Sequence, residues 1–497
     1  MSTRTKFICL AGILIIASFL RFYHFTSTPP GLYPDEAIDG NNAAEVAATG
    51  HYQTFYTEDN GREGLYVNVI AALFQFFHAP HEPWVVRLPA AIAGVLTVLG
   101  LYLLIAELFG SGAGLLAAFL LATCFWHINF SRIGFRAILA PLLLAWTIWL
   151  LIKAFKAAKG SAAAWWYAIV AGIVYAAGFY TYIAYRVTPL LLLLFIPFYK
   201  KYPDFWKRAL VFVVAAFIVA APIGWYFVKH PSDFFGRTSQ IAVTNAGNPI
   251  GDFALNTVKT LGMFNFHGDD NWRHNVSGAP ELFFPVGIIF IIGVILALSW
   301  LWKHWREHVR HDGTTLGTPS LFGLLILFVW FILALLPAAL SDEGIPHSLR
   351  SILMLPPAIV FAAFGGIWCY GFMKKHWGVS AAVTIAAVFF ASTAAFAYVD
   401  YFVTWAQNPN VPGSFNADYV TIGRAINALP VSEPKYVIVS AGGVPIRGIP
   451  TPVETTMFIT DSFTTSTQTA KNIHYLLPTQ ENQIPSSTPG TDIFVIN

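Results

Sequence analysis

Two stretches of this sequence concentrate side chains that can move protons or hold cations. The first is Pro34-Asp35-Glu36, with Asp39 one turn on and then Glu45, Glu58, Asp59 and Glu63. After the chain-turning Pro29-Pro30-Gly31, residues 35–49 (DEAIDGNNAAEVAAT) read as a short helix with its acids at the N-terminus, where the helix dipole favours negative charge. Adjacent helical residues face different directions. Asp35 and Glu36 are therefore expected to differ in role, one facing a reacting group while the other anchors a metal or an arginine. Simple capping by Asp35 would account for the spacing as well.

The second stretch is the polar run Phe264 to Asn275, which contains HGDDNWRHN at 267–275. Two histidines and two aspartates within eight residues could contribute ligands to a divalent cation. The spacing fits no structural zinc pattern, and a turn-rich loop is the plainer reading. Glu58, His267 and Asp269 are the expected metal ligands. Further on, Glu343-Gly-Ile-Pro-His347-Ser-Leu-Arg350 again sets a histidine beside an arginine. Asn275-Val-Ser277 is a glycosylation-type triplet of a kind that is common by chance.

The elements that must position these groups follow from composition. Of 497 residues, 56% are hydrophobic and only 11% charged, against about 25% charged in soluble chains. A water-soluble enzyme, a disordered chain and a nucleic-acid-binding protein are all excluded. The formal charge of +3 is too small to advertise a polyanion partner. A 16% aromatic content suits interfacial belts. Apolar runs long enough to cross a bilayer lie at 6–25, 84–107, 112–131, 137–157, 163–181, 208–228, 281–302, 318–341, 350–372 and 377–399, with a shorter one at 185–200. Eleven spans result. The segment 65–78 is too short to cross, and counting it as a span would invert every later loop; it is expected as a helix lying in the interface. The start has basic residues and an apolar run but no small-residue cleavage site, so an uncleaved first span is expected. Cys9, Cys124 and Cys369 sit in apolar runs and suggest no disulfide framework.

Lysines cluster at alternate loops (Lys153, Lys156 and Lys159; Lys200, Lys201 and Lys207; Lys303; Lys374 and Lys375) and mark the cytoplasmic side. The opposite side carries arginine instead: Arg21, Arg62, Arg87, Arg132, Arg136, Arg186, Arg237, Arg273 and Arg350, with two lysines up to residue 400. The planar guanidinium grips phosphate oxygens bidentately, so this set is what an outer-face phosphate site would use. Each arginine could equally snorkel to headgroups or pair with a nearby acid. Beyond residue 400, Pro, Thr, Ser and Asn become frequent, and Lys435 to Ser440 and Asp492 to Asn497 read as short strands. Two domains are expected: a membrane part over 1–400 and a small external α/β domain over 401–497.

The motifs PPGLYPDEA (29–37), Glu58 to Tyr66, RLPAAIAG (87–94), SRIGFRA (131–137), HGDDNWRHN and PHSLR (346–350), in this order, resemble the GT-C glycosyltransferases. The branch they look most like is that of bacterial protein O-mannosyltransferase-like enzymes and lipid A aminoarabinose transferases. The resemblance covers about residues 1–400. It implies an all-α polytopic membrane protein with interfacial helices in the first outer loop. It also implies an inverting transferase that takes a sugar from a polyprenyl-phosphate donor to a hydroxyl on a protein, lipid or glycan at the outer face of the plasma (inner) membrane. On this resemblance Asp35 is the expected base, with Glu36 beside it. Donor phosphate would be held by Arg132 and Arg136 first, and by Arg186, Arg237, Arg350 and His347. A divalent cation is a further expected component. The loop at 132–136 departs from the oligosaccharyltransferases, which place a metal-binding acid there, so transfer to peptide asparagine is not expected.

Two other classes compete. A transporter or flippase for lipid-linked sugars predicts ionisable residues at the bilayer midplane and repeated broken helices, whereas here the charges gather at the ends of the spans. A non-catalytic assembly protein would place its recognition in the tail.

Overall fold

The computed structural model describes residues 1–202, 204–310, 321–484 and 492–497, without the side chains of 198, 200, 201, 237 and 304–310. The chain forms two compact units, each assembled from separate stretches of sequence. A helical unit comprises Met1–Tyr23, Ala91–Ser131 and Arg136–Trp405; a mixed unit comprises His24–Ala90, Arg132–Phe135 and Ala406–Asn497.

Among the described residues, eight helices are long and apolar enough to cross a membrane. The last covers Ile352–Trp405 and is broken at Gly378 (φ 86°, ψ 168°), so it accounts for two of the expected spans. The expected spans at 112–131 and 185–200 take the form of shorter apolar helices, Ser111–Ala122 and Ile183–Pro197. The span expected at 318–341 starts outside the described residues and is seen as Leu321–Ala339. Small residues let helices approach closely. A Cβ on Gly293 would lie 1.6 Å from the Phe361 carbonyl oxygen, and one on Gly365 1.9 Å from that of Ile289. Only glycine fits where these two helices cross. Two buried arginines close helix ends. Arg208 donates to the carbonyls of Ala154, Phe155, Ala157 and Ala158 at 2.8–3.1 Å. Arg21 donates to Ala122 O at 3.0 Å. Each satisfies carbonyls that a helix end leaves without partners.

In the mixed unit, the predicted strands are Lys435–Val439 and Asp492–Ile496, and a third, Ile473–Leu476, joins them in a parallel sheet with Lys435–Val439 in the centre. Its core gathers Val437, Val439, Met457, Phe463 and Ile473 around Ile38. Ile38 belongs to the helix Pro34–Thr49, so the first loop and the tail share one hydrophobic centre. Gly31 makes this possible. Its φ is +71°, and a Cβ there would lie 2.2 Å from Phe415 O, a combination that excludes other residues. The interfacial helix expected at 65–78 is Leu65–Phe77.

Candidate functional site

The helix Pro34–Thr49 starts with proline in its first turn and both acids of the dyad within that turn. Glu36 is fully buried. It accepts from Arg87 Nε at 2.8 Å and Nη2 at 3.0 Å, from the Gly134 amide at 2.6 Å and from the Tyr33 amide at 3.0 Å. Arg87 in turn donates to Pro29 O and Gly31 O at 2.7 and 2.9 Å. Glu36 is thus a strut that ties three chain segments to one guanidinium. Asp35 differs: 46% of its side chain is exposed, and its Oδ1 stands 3.7 Å from Arg62 Nη2. Arg62 is buried, bonds Asp39 at 3.0 Å and the Asp35 carbonyl at 2.7 Å, and pairs with Asp59. Burial would discharge Arg62, but the carboxylates of Asp39, Asp35 and Asp59 hold it charged.

The predicted phosphate ligands have varied surroundings. Arg132, in the mixed unit, is fully buried, donates to Thr28 O at 2.8 Å and lies 5.7 Å from the Phe25 ring. Arg136 is half-buried at the start of the short helix Arg136–Ile138. Arg186 is flanked by Phe227 and Phe234, 4.9 and 4.2 Å from its guanidinium. Arg350 bonds Ser341 and the Glu343 carbonyl. The Arg237 side chain lies outside the described residues.

A second polar centre lies in the helical unit. Backbone bonds from Gly268 to Gly278 and from Glu281 to Met263 fold the loop after residue 263 into a closed turn. Inside it Asp269 is buried and accepts from the Asn271 amide at 2.9 Å, the Ser348 amide at 2.8 Å and His274 Nδ1 at 2.8 Å. His347 Nδ1 is 3.7 Å from the same carboxylate and makes no hydrogen bond among the described residues. Glu281 accepts from Ser348 Oγ at 2.5 Å and from the Asp269 amide at 3.2 Å. Burial alone would raise the Asp269 carboxyl, but His274, His347 and the Asn271 amide bring it down to about 2. Burial holds the His347 imidazole well below its usual value, helped by His274. Burial also pushes Glu281 up to about 8 against its Ser348 bond.

Among the described residues, Asp269, His274 and His347 are the set of three whose ligand atoms lie within 4.8 Å of one another. Two imidazoles and a carboxylate are the donor set of a divalent transition metal that keeps one position open. The buried His347 nitrogen without a hydrogen bond fits that use. Of the residues expected to bind metal, Asp269 belongs to this set. His267 is 61% exposed and pairs with Asp270; Glu58 bonds Arg447. The sequence reading gives no place to Glu281 or Ser348; it has His274 among the possible cation ligands of the polar run and Arg62 and Arg87 among the outer arginines, without a site for any of the three. For His274 the sign was present, since it lies five residues beyond Asp269 in the same run.

Residues 65–226 match the family described as dolichyl-phosphate-mannose-protein mannosyltransferase. No curated protein matches the sequence significantly. Among solved structures, ArnT from Cupriavidus metallidurans bound to undecaprenyl phosphate superposes with a TM-score of 0.56 at 13% identity, over 95% of this chain and 90% of that one. The Archaeoglobus fulgidus oligosaccharyltransferase tethered with an acceptor peptide superposes with a TM-score of 0.53 at 14% identity, over 96% of this chain. The same enzyme in complex with zinc and sulfate gives 0.53 at 15% identity, over 94% of this chain and 62% of that one. The chain spans 64% of the length of the first of these oligosaccharyltransferase structures. At such identities the likeness speaks for the fold, and it agrees with the motif resemblance: the chain has the GT-C fold, with the protein-mannosyltransferase pattern over residues 65–226.

Proposed function

We propose that the chain is an inverting glycosyltransferase that moves a sugar from a polyprenyl-phosphate donor to an acceptor hydroxyl at the outer face of the plasma (inner) membrane. The observation that carries this reading is the asymmetry of the dyad. Glu36 has its oxygens committed to Arg87, Gly134 and Tyr33, while Asp35 is half-exposed on the first turn of the same helix. Asp35 takes the proton of the acceptor hydroxyl as that oxygen bonds to the anomeric carbon. The bond from that carbon to the phosphate oxygen breaks on the opposite side, and the lipid phosphate leaves with the electron pair. One displacement inverts the sugar carbon. Glu36 positions Asp35 by fixing the helix start.

The leaving phosphate needs positive charge. In this reading Arg132, Arg136, Arg186, Arg237 and Arg350 remain the candidates for it, while His347, kept neutral by burial, would serve the phosphate only as a hydrogen-bond donor. Arg132 is fully buried and donates to Thr28 O. A divalent cation held by Asp269, His274 and His347 would supply Lewis-acid charge. The division into a membrane part over 1–400 and an external domain over 401–497 belongs to the same proposal.

The test is Asp35→Asn. With polyprenyl-phosphate sugars as donors and product mass spectrometry as readout, turnover should fall by about 10²–10⁴-fold while donor binding persists. Near-normal turnover would remove Asp35 from the role.

A further inference from the structure

We infer that the mixed unit grips a neutral saccharide chain in a polar cleft on the Asp35-bearing helix, which makes a glycan the acceptor class. This rests on the reading of Asp35 as the base. Asp35, Asp39, Asn42, Val46 and Thr49 follow one another at spacings of four and three residues on the helix Pro34–Thr49. They therefore share one side of the helix, on which Asp39, Asn42 and Val46 are buried. Asn42 begins a cleft of about 210 Å³, which also takes in Glu45, Thr49, Tyr56, Glu58 and Arg447. At 1.5 Å per residue the cleft starts about 10 Å along the helix from Asp35, on the same side.

The chemistry of the lining selects the ligand. Arg447 Nη2 bonds Glu45 at 2.7 Å and Glu58 at 3.0 Å, and its guanidinium stacks 4.0 Å from the Phe463 ring. Two carboxylates against one guanidinium leave a net negative charge, which repels phosphates and other anions. The same guanidinium already bridges both acids and keeps a metal cation from them. What remains is a close array of hydrogen-bond acceptors and donors, the complement of sugar hydroxyls. Asn42 supplies the independent sign: it is 3% exposed, and its Nδ2 is buried without a hydrogen-bond partner among the described residues. Native proteins seldom leave such a donor unsatisfied. The volume is below the range of about 300–1,000 Å³ typical of drug-sized ligands and suits a sugar ring more than a folded peptide.

The experiment uses the full chain in detergent and a methyl-capped neutral hexose trisaccharide as probe, with binding read by saturation-transfer NMR and titration calorimetry. Binding is expected to wild type, to survive in Asp35→Asn, and to weaken about tenfold in Glu45→Gln and in Asn42→Leu. Glu45 is partly exposed, so its variant tests the cleft even where Asn42→Leu disturbs folding. In transfer assays the Glu45→Gln protein should show a raised acceptor KM with kcat little changed. Absence of trisaccharide binding to wild type, or equal binding by both cleft variants, overturns the proposal even if Asp35-dependent transfer to a serine peptide or a lipid is found. Cleft-dependent binding by a protein that transfers no sugar would support the cleft and count against the transferase reading instead. Competition by inorganic phosphate stronger than by the trisaccharide would also overturn it.

Discussion

Glu36 in the mixed unit and Asp269 in the helical unit are both buried acids, and both are bonded by backbone amides from distant segments. Their cationic partners differ in kind. Glu36 faces a guanidinium, and Arg87 is itself tied down by two carbonyls. Asp269 faces imidazoles, of which His347 is kept neutral by burial. A neutral imidazole is a metal ligand; a guanidinium is not. The first centre is therefore built to stay fixed, which suits a frame holding Asp35 in position. The second is built so that its countercharge can arrive from outside.

The sharpest way to break this contrast is Arg87→Ala. Removing the guanidinium leaves the Glu36 charge buried and unpaired, a defect that costs about 3–5 kcal/mol. The loss should appear as a large fall in the thermal midpoint of the purified protein. Adding Glu36→Gln to Arg87→Ala should recover part of it, because the uncompensated charge is then gone. If Arg87→Ala melts like wild type, the strut assignment fails.

A second test compares acids within the mixed unit. Among the described residues Glu454 has no arginine bonded to it; Asn41 Nδ2 donates to it at 2.7 Å, and Glu58, Arg447 and Arg62 are its charged neighbours. Burial raises its carboxyl from 4.5 to about 7, against the Asn41 bond. The folded state then holds this proton more tightly than the unfolded chain. The associated stability is fully present below pH 4.5 and is lost as pH rises to about 7. By linkage the loss amounts to about 3 kcal/mol. Glu454→Gln should flatten that part of the stability–pH curve. An unchanged slope would show that Glu454 ionises without cost.

The sequence made the architecture readable where the signal was local. Apolar runs located the spans, and the short length of 65–78 marked it as something other than a crossing. The strand at Lys435 was visible as a β-rich run. The strand Ile473–Leu476 was not, because four residues after a polar helix carry too little pattern. The break at Gly378 was legible, since Lys374 and Lys375 interrupt the apolar pattern just before it and separate the runs 350–372 and 377–399. In the polar centres the sequence showed which residue types were present but not their partners. Glu36 and Arg87 are 51 residues apart, and Asp269 and Ser348 are 79 apart. Nothing in Gly268-Asp269-Asp270 says which aspartate turns inward; the closed turn decides it, burying Asp269 and leaving Asp270 69% exposed beside His267.

The remaining prediction concerns the conditional countercharge itself. If Asp269, His274 and His347 form a cation site, zinc should raise the thermal midpoint of the chain, because a ligand that binds only the folded state stabilises it. At free zinc a hundredfold above its Kd the gain is about 2.7 kcal/mol. Magnesium should do far less, since two of the three donors are imidazole nitrogens and hard cations prefer oxygen. His274→Ala removes one ligand and the 2.8 Å bond to Asp269 together, so its metal-free midpoint will fall by itself. The informative quantity is the zinc-induced shift measured from each variant's own metal-free value. That shift should vanish in His274→Ala and His347→Ala and persist in Asp35→Asn, whose centre carries its own arginine. An equal zinc shift in all three variants would put the cation elsewhere, and the two centres would then differ only in geometry.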